Sequence, residues 1–387
     1  MKVVHLIDTL GHGGAEHQLA LLAPALSARG WESGVVHLHA PDYVAQRMID
    51  RGVKVIGLGQ PLSKRSWPRL IEQLVRVLRS ERPDVVHTSL FEADILGGAA
   101  AGILRIPAVD TLCNIGGEEV RLDDNPLNSR LKLRLSTELW AWALRERHQH
   151  SLAISKAVKD SALRTYRLRA ETVSVVYRAL TEADQLPRLP GAERDQVRRA
   201  LGAEARSPVL LHVGRQAPQK GQIYLIESMR AVADRHPNVV LWMVGEGWLR
   251  PELEAKARAL DLSDHVHFLG KRTDVPTLMR AADVFVFPSL FEGLGVSLLQ
   301  ASAAGLACVT SDVGPLPEVV EHGVTGLLVP PKNSPALSQA LLELAAAPER
   351  AQAMGEAARA RALERYTLEK MVDGTIRGYE AALRPTP

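Results

Sequence analysis

The sequence predicts an α/β protein built from two doubly wound, parallel-sheet domains. Three observations carry that prediction. The chain has 387 residues, enough for two to three domains at about 150 residues each. Short β-branched runs alternate with segments of helical period from the first residue onward. That rhythm breaks once, over 181–207, and then restarts.

In the first half, strands are expected at 3–7, 35–38, 53–58, 84–87, 108–111, 152–154 and 173–176. Helices are expected between them, among others at 16–29, 69–81 and 131–147. A strand–helix alternation of this kind argues a parallel sheet covered on both faces. The stretch 181–207 carries Pro187 and Pro190, with Pro208 just after, and many charges. It reads as the domain junction, with one short helix at 192–201. Strands are then expected at 208–213, 239–244, 266–268, 284–287, 307–310 and 327–329, and the last 50 or so residues as almost wholly helical. Ligands in such sheets bind at the carboxyl ends of the strands, so a cleft there is the expected site.

Composition removes several function classes. A hydrophobic fraction of 46% and a charged fraction of 24% are ordinary for a soluble globular chain. No apolar run reaches the ~20 residues of a membrane-spanning helix. The run at 3–7 is too short for a signal peptide, so a cytoplasmic protein is expected. Cys113 and Cys308 make neither a disulfide framework nor a zinc cluster. The net charge is +3. Residues 1–180 hold 24 basic and 19 acidic residues (+5), and the remainder 23 and 25 (−2). That is too weak for a nucleic-acid footprint, though it suits an anionic acceptor or a membrane surface.

Three stretches suggest anion binding. The first strand runs into Thr9-Leu10-Gly11-His12-Gly13-Gly14-Ala15-Glu16 before a helix. Glycines allow a tight turn and a close ligand, and the helix start offers unpaired N–H groups. This is neither a dinucleotide fingerprint nor a Walker loop, and a turn without ligand is the competing reading. In the second half, Val213-Gly214-Arg215 ends a strand and Lys220-Gly221 opens a helix. A guanidinium fork and a point charge at one strand end suit a pyrophosphate; two solvated surface charges are the alternative. Further on, Phe287-Pro288-Ser289-Leu290-Phe291-Glu292-Gly293-Leu294-Gly295-Val296-Ser297 passes from strand through a glycine loop into a helix expected near Leu294. The N–H groups of Gly295, Val296 and Ser297 can meet an anion. Glu292 can accept from sugar hydroxyls or cap the helix, and Gln300, eight residues on, lies amid Leu298, Leu299 and Ala301.

With these residues in place the chain resembles the family-four retaining glycosyltransferases of GT-B architecture, over nearly its whole length. The matching motifs, in order, are Gly13-Gly14-Ala15-Glu16, Val213-Gly-Arg215 with Lys220-Gly221, Val244-Gly-Glu-Gly247, Phe268-Leu-Gly270, Ala282-Asp283, Pro288-Ser289, Glu292-Gly-Leu-Gly295, Ser311-Asp-Val-Gly314, Pro317-Glu318 and Gly323-Val-Thr-Gly326. The resemblance implies sugar transfer from a nucleotide-sugar, UDP favoured over GDP or ADP, to a hydroxyl acceptor with retention at the anomeric carbon. It implies no metal and no cofactor. It divides the chain into an acceptor-binding domain, 1–185 plus a helical segment 366–387 crossing back, and a donor-binding domain, 186–365. By position, Arg215 and Lys220 would hold the diphosphate. Glu292 would bind the donor sugar, and Gly13, Gly14, Gly214, Gly245, Gly293, Leu294, Gly295, Val296 and Ser297 would line the donor. Lys271 and Arg272 would enclose the nucleobase.

The chain departs from the family pattern in three places. Gln300 stands where a second Glu usually accepts the ribose hydroxyls, so Gln300→Glu is expected to preserve or improve donor affinity. Cys113 and Asn114 stand where relatives carry a His near the reacting sugar. Ser89 and Glu92, beside His87, replace further histidines. His12, His87, Glu92, Cys113 and Asn114 are therefore the acceptor-side candidates, with His87 reading equally as a strand-end residue bonded to the backbone.

The acceptor is expected to be a glycan, a lipid-linked or a small-molecule hydroxyl, in polysaccharide, glycolipid or glycoside synthesis. Basic residues with tryptophans, at Lys64, Arg65, Trp67 and Arg69 and at Arg130, Lys132, Arg134, Trp140 and Trp142, suit either a solvated helix with its tryptophans in the core or peripheral contact with the inner face of a membrane. The competing functions are a non-catalytic sugar-nucleotide binder or partner subunit, and an epimerase, which would lack the Glu292-Gly-Leu-Gly295 loop.

Overall fold

The structure, a computed structural model, describes residues 1–11, 13–59, 66–116, 130–204 and 207–384. His12, Lys64 and Arg65 lie outside the described residues. The chain divides into two units. One comprises Met1–Ala179 with Thr367–Pro387, the other Leu180–Tyr366. The first division thus falls six residues before 185. Leu180 N donates to Tyr366 O at 2.9 Å, which ties the two ends of the second unit together.

The first unit holds seven strands: β1 (Lys2–Ile7), β2 (Glu32–His37), β3 (Lys54–Gly57), β4 (Val85–Ser89), β5 (Ala108–Leu112), β6 (His150–Ala153) and β7 (Val173–Val175). Every pairing is parallel, in the order β3-β2-β1-β4-β5-β6-β7. The second unit holds six: β8 (Val209–Val213), β9 (Val240–Val244), β10 (Val266–Gly270), β11 (Val284–Phe287), β12 (Ala307–Ser311) and β13 (Gly326–Val329). They too are parallel, in the order β10-β9-β8-β11-β12-β13. Strand order reverses between β1 and β4 and between β8 and β11. Those two points leave a crevice at the carboxyl edge of each sheet.

The strands read as near-continuous apolar runs because helices cover both faces; all five residues of β9, for example, are buried. The helix Trp67–Glu81 shows the complementary pattern. Leu70, Leu74 and Leu78, four apart, are fully buried while Arg69, Glu72, Arg76 and Arg79 stay exposed. The returning helix Leu368–Leu383 packs Met371, Val372, Tyr379 and Ala382 against Val3, Leu22, Leu26 and Val176. Its glycines lie directly on the sheet: Gly374 faces Val176 and Gly378 faces Leu152.

The core of the first unit also holds polar groups. His87 is buried, with Nδ1 2.6 Å from Tyr379 Oη and Nε2 2.7 Å from Thr111 Oγ1. Thr88 Oγ1 donates to Asp94 Oδ1 at 2.6 Å and Ser151 Oγ to Asp110 Oδ1 at 2.7 Å. Burial pulls His87 well below the usual imidazole range and pushes Asp110 up to about 7. Asp110 therefore takes up its proton in the folded state first. Its contribution to stability is full below the unfolded value near 3.8 and is lost as pH rises through about 7. Asp110→Asn should accordingly gain on the wild type as pH rises from about 4 to about 7, by on the order of a few kcal/mol. Urea unfolding of both across that range would measure it, and a pH-independent difference would contradict a proton held on Asp110.

Candidate active site

Within the second unit the residues singled out from the sequence gather on either side of the β8/β11 switch point. β8 delivers Gly214 and Arg215, and β11 delivers Pro288 and the loop to Gly295. Between Arg215 and the helix Gln222–Arg235, one short 3₁₀ turn (Pro218–Lys220) swings Lys220 back toward the strand ends. Lys220 Nζ lies 2.6 Å from Glu292 Oε1 and 5.0 Å from the centroid of the Phe287 ring. Glu292 is buried. Gln219 closes the same junction: its Nε2 donates to Phe291 O at 3.0 Å, and its carbonyl accepts from Leu290 N at 2.7 Å.

Backbone packs against backbone here, and two glycines make that feasible. Gly221 has φ +64 and Gly245 φ +124. A Cβ would overlap the Pro288 carbonyl oxygen at the first and that of Gly214 at the second. Arg215 is exposed, its Nη2 3.4 Å from Gln219 Oε1. The nearby His212 is fully buried, with Nδ1 2.9 Å from Val286 O, and burial brings it down to about 4. It stays neutral at physiological pH and adds no charge to the Arg215–Lys220 pair.

The helix after the glycine loop begins at Val296, two residues later than expected. Gly295 sits in the left-handed region, φ +83, and cannot be part of the helix it caps. Lys271 is exposed just past β10, while Arg272 is held by both oxygens of Asp274 at 2.8 and 2.6 Å, so its guanidinium is already engaged.

Gln300 has a partner that sequence reading did not supply. Its Nε2 donates to Asp184 Oδ1 at 2.8 Å, and the other oxygen of Asp184 accepts from Thr181 N and Oγ1 at 2.8 and 2.7 Å. Asp184 is buried. A glutamate at 300 would set two carboxylates against each other, so Gln300→Glu carries a stability cost besides any effect on donor affinity. The amide is the side chain that Asp184 accommodates.

In the first unit, the loop after β1 starts the helix Gly14–Ser27 at Gly14, with Gly13 as its cap and the Glu16 carboxylate folded back over Gly13. Asp8, not singled out from the sequence, follows β1 directly. It accepts from Ala93 N at 2.7 Å and Glu92 N at 3.4 Å, at the start of the helix Phe91–Leu104, and burial raises it to about 6. Glu92 Oε2 is 2.6 Å from His39 Nε2. Leu90, just before, takes φ +78, strained for a leucine.

Two other acceptor-side candidates follow β5, the strand paired to the β4 strand that precedes Glu92. Asn114 is exposed after β5. Cys113 accepts from Arg178 Nη2 at 3.0 Å, and burial pushes its thiol up despite that guanidinium. His87 does not belong with them, because both of its ring nitrogens are spent inside the core.

Comparison with known proteins agrees with this layout. Residues 12–182 match the family described as Glycosyltransferase Family 4, and 193–361 match Glycosyl transferases group 1. Alpha-maltose-1-phosphate synthase of Mycolicibacterium smegmatis is 30% identical over 333 residues, 80% of this chain and 82% of that one. The chain belongs to the family-four glycosyltransferases. An uncharacterized glycosyltransferase of Methanocaldococcus jannaschii is also 30% identical, over 68% of this chain and 66% of its own length. Among solved structures, Anabaena HepE in complex with UDP and glucose superposes with a TM-score of 0.84 at 24% identity, covering 98% of this chain and all of that one. The glycosyltransferase thus has the GT-B architecture.

The Asp184–Gln300 bond yields a direct test. Gln300→Glu should lower the unfolding midpoint by on the order of 5 °C through the lost bond and the added repulsion. Adding Asp184→Asn should recover most of that drop. A single variant as stable as the wild type would contradict the pairing.

Proposed function

We propose that this glycosyltransferase moves a hexosyl group from a nucleotide diphosphate sugar, UDP-sugar favoured, to a hydroxyl acceptor with retention of configuration and without a metal. The observation that carries this reading is the convergence of Lys220, Glu292, Arg215 and the Gly295–Ser297 helix start on one switch point. The diphosphate would lie against the two cations and the helix N–H groups, and the sugar hydroxyls against Glu292. HepE, solved with UDP and glucose, supports a UDP-hexose donor.

In the reaction, the bond between the anomeric carbon and the diphosphate oxygen breaks while the acceptor oxygen bonds to that carbon on the same face. The acceptor's proton passes to the departing phosphate oxygen. Charge builds on the leaving group, so cations fixed beside it lower the barrier more than a strong protein base would. Glu292 also holds the Lys220 ammonium in place before a donor arrives. Arg215→Ala and Lys220→Ala should each cut turnover by about 10²–10³ with the circular dichroism unchanged. Unaltered turnover in both would remove the diphosphate assignment.

A second reading concerns where the acceptor is met. On the helix Arg130–Arg147, Leu131, Leu135, Leu139 and Trp142 fall on one face and are 66%, 62%, 36% and 39% exposed, flanked by exposed Arg130, Lys132 and Arg134. Trp140, expected beside them, is instead buried, with Nε1 donating to Asp94 Oδ2 at 2.9 Å. No helix among the described residues is long and apolar enough to cross a membrane. The stripe with its basic flanks suits an anionic bilayer surface on the cytoplasmic side, with a lipid-linked or glycan acceptor. The protein should co-sediment with anionic liposomes at low salt and not with neutral ones, and Leu131→Glu with Leu135→Glu should abolish the effect. Equal sedimentation with both liposome types would count against this surface.

A further inference from the structure

Arg178 follows β7 at the carboxyl edge of the first sheet and is 9% exposed. A buried guanidinium ordinarily has a carboxylate beside it, because an unpaired buried charge is costly. Here the partner is a thiol. Arg178 Nη2 donates to Cys113 Sγ at 3.0 Å, reaching past β6 to the residue that follows β5. Cys113 keeps its proton: Sγ donates to Thr111 O at 3.5 Å, and burial pushes the thiol up although Arg178 pulls it down. A neutral thiol is a weak acceptor and supplies no counter-charge. Among the described residues no other hydrogen bond and no ion pair engages Arg178, which leaves four of its five N–H donors over.

The ionisable groups nearby do not take them up. His87, on which Arg178 acts through space, is kept neutral chiefly by burial. Two acids act on Cys113. Asp94 is pushed well above the usual carboxylate range by burial and by Asp110, and the Glu16 carboxylate accepts from Thr9 Oγ1 at 3.3 Å. The backbone beside Arg178 is fixed as well. Gln18, itself buried, donates from Nε2 to Ala179 O at 2.9 Å and accepts from Ala179 N at 2.8 Å. Gln18 lies four residues, about 6 Å of helix, beyond Gly14, where the glycine loop after β1 becomes helix. The guanidinium is thus held ready at the edge that carries this loop, beside half-buried Cys113 and exposed Asn114.

We propose that Arg178 reads the acceptor of this glycosyltransferase, its guanidinium fork binding a carboxylate or phosphate group on an acceptor sugar. The proposal rests on the reading that the first unit takes the acceptor. Both groups offer the fork two oxygens side by side. Either would take the N–H donors that Cys113 leaves over and bring the counter-charge that the neighbouring side chains do not supply. An uncharged sugar could do only the first. Because the fork is already positioned, little ordering remains to be done on binding.

The test is calorimetric titration of the full chain with D-glucuronate, D-glucose 6-phosphate and D-glucose, each with excess UDP present to fill the donor side. Saturable binding is expected for at least one of the two acids and none for glucose, and the tighter acid identifies the group that is read. Arg178→Gln should weaken that binding roughly tenfold or more and leave the UDP titration as in the wild type. Arg178→Lys keeps the charge and gives up the fork, so it should weaken binding as well, and it guards against a folding defect in the first variant. No saturable binding of either acid to the wild type would overturn the proposal. So would binding that both variants leave intact, or UDP binding lost together with acid binding in Arg178→Lys, since the acid would then occupy the donor side. Acids that bind while UDP does not would uphold Arg178 as an oxyanion site and tell against the donor assignment instead.

Discussion

The contact between Lys220 and Glu292 exists because β8 and β11 are hydrogen-bonded neighbours although 72 residues separate the two side chains. Strand order reverses there, so the loops after the two strands face each other with no helix between them. The surrounding features serve that approach. Gly221 and Gly245 remove the Cβ atoms that would hold the loops apart, Gln219 bonds across to Phe291 and Leu290, and His212 stays neutral beneath the ammonium. A buried ion pair is weak support for stability, since desolvation of both ions offsets most of their attraction. This pair is better understood as holding two candidate functional side chains in place, stability being supplied by the aliphatic core beneath.

The same reasoning explains what was legible in the sequence. Strand positions were visible because parallel strands must be apolar on both faces, and the loop glycines because only glycine tolerates such close backbone. The candidate donor side was legible because its residues are brought together by strand order alone. Side-chain partners across the fold were not. Asp184 and Gln300 are 116 residues apart, and nothing in either segment announces the other. His87 resembled a strand-end functional group, but the phenol that engages it comes from Tyr379, 292 residues on. Trp140 and Trp142 look alike in sequence, and the helix turns one into the core and the other outward. Asp8 did carry a signal, an acidic residue directly after the first strand, but its amide partners lie on a helix 85 residues away.

Gln300 shows how a departure from a family pattern can be compensated locally. Asp184 uses one oxygen on Thr181 and needs a donor for the other, which a glutamate at 300 could supply only by staying protonated. The amide supplies it at neutral pH and keeps an oxygen of its own as a hydrogen-bond acceptor. The pair also fixes which end of the amide is which, since only the nitrogen can face a carboxylate. Position 300 therefore retains an acceptor while losing a charge.

The two edges of the second sheet solve the problem of concentrated positive charge in opposite ways. At the carboxyl edge, one ammonium faces one buried carboxylate and one exposed guanidinium stands beside it. At the amino edge, three guanidiniums are fixed to carbonyl oxygens and gather on the Asp283 carboxylate, with Asp195 also acting on Arg198. A purely structural ion cluster would gain from more counter-charge, because each unneutralised cation that is partly desolvated costs free energy. The amino-edge guanidiniums are bound to backbone carbonyls and Asp283, whereas at the carboxyl edge the Arg215 side chain is exposed.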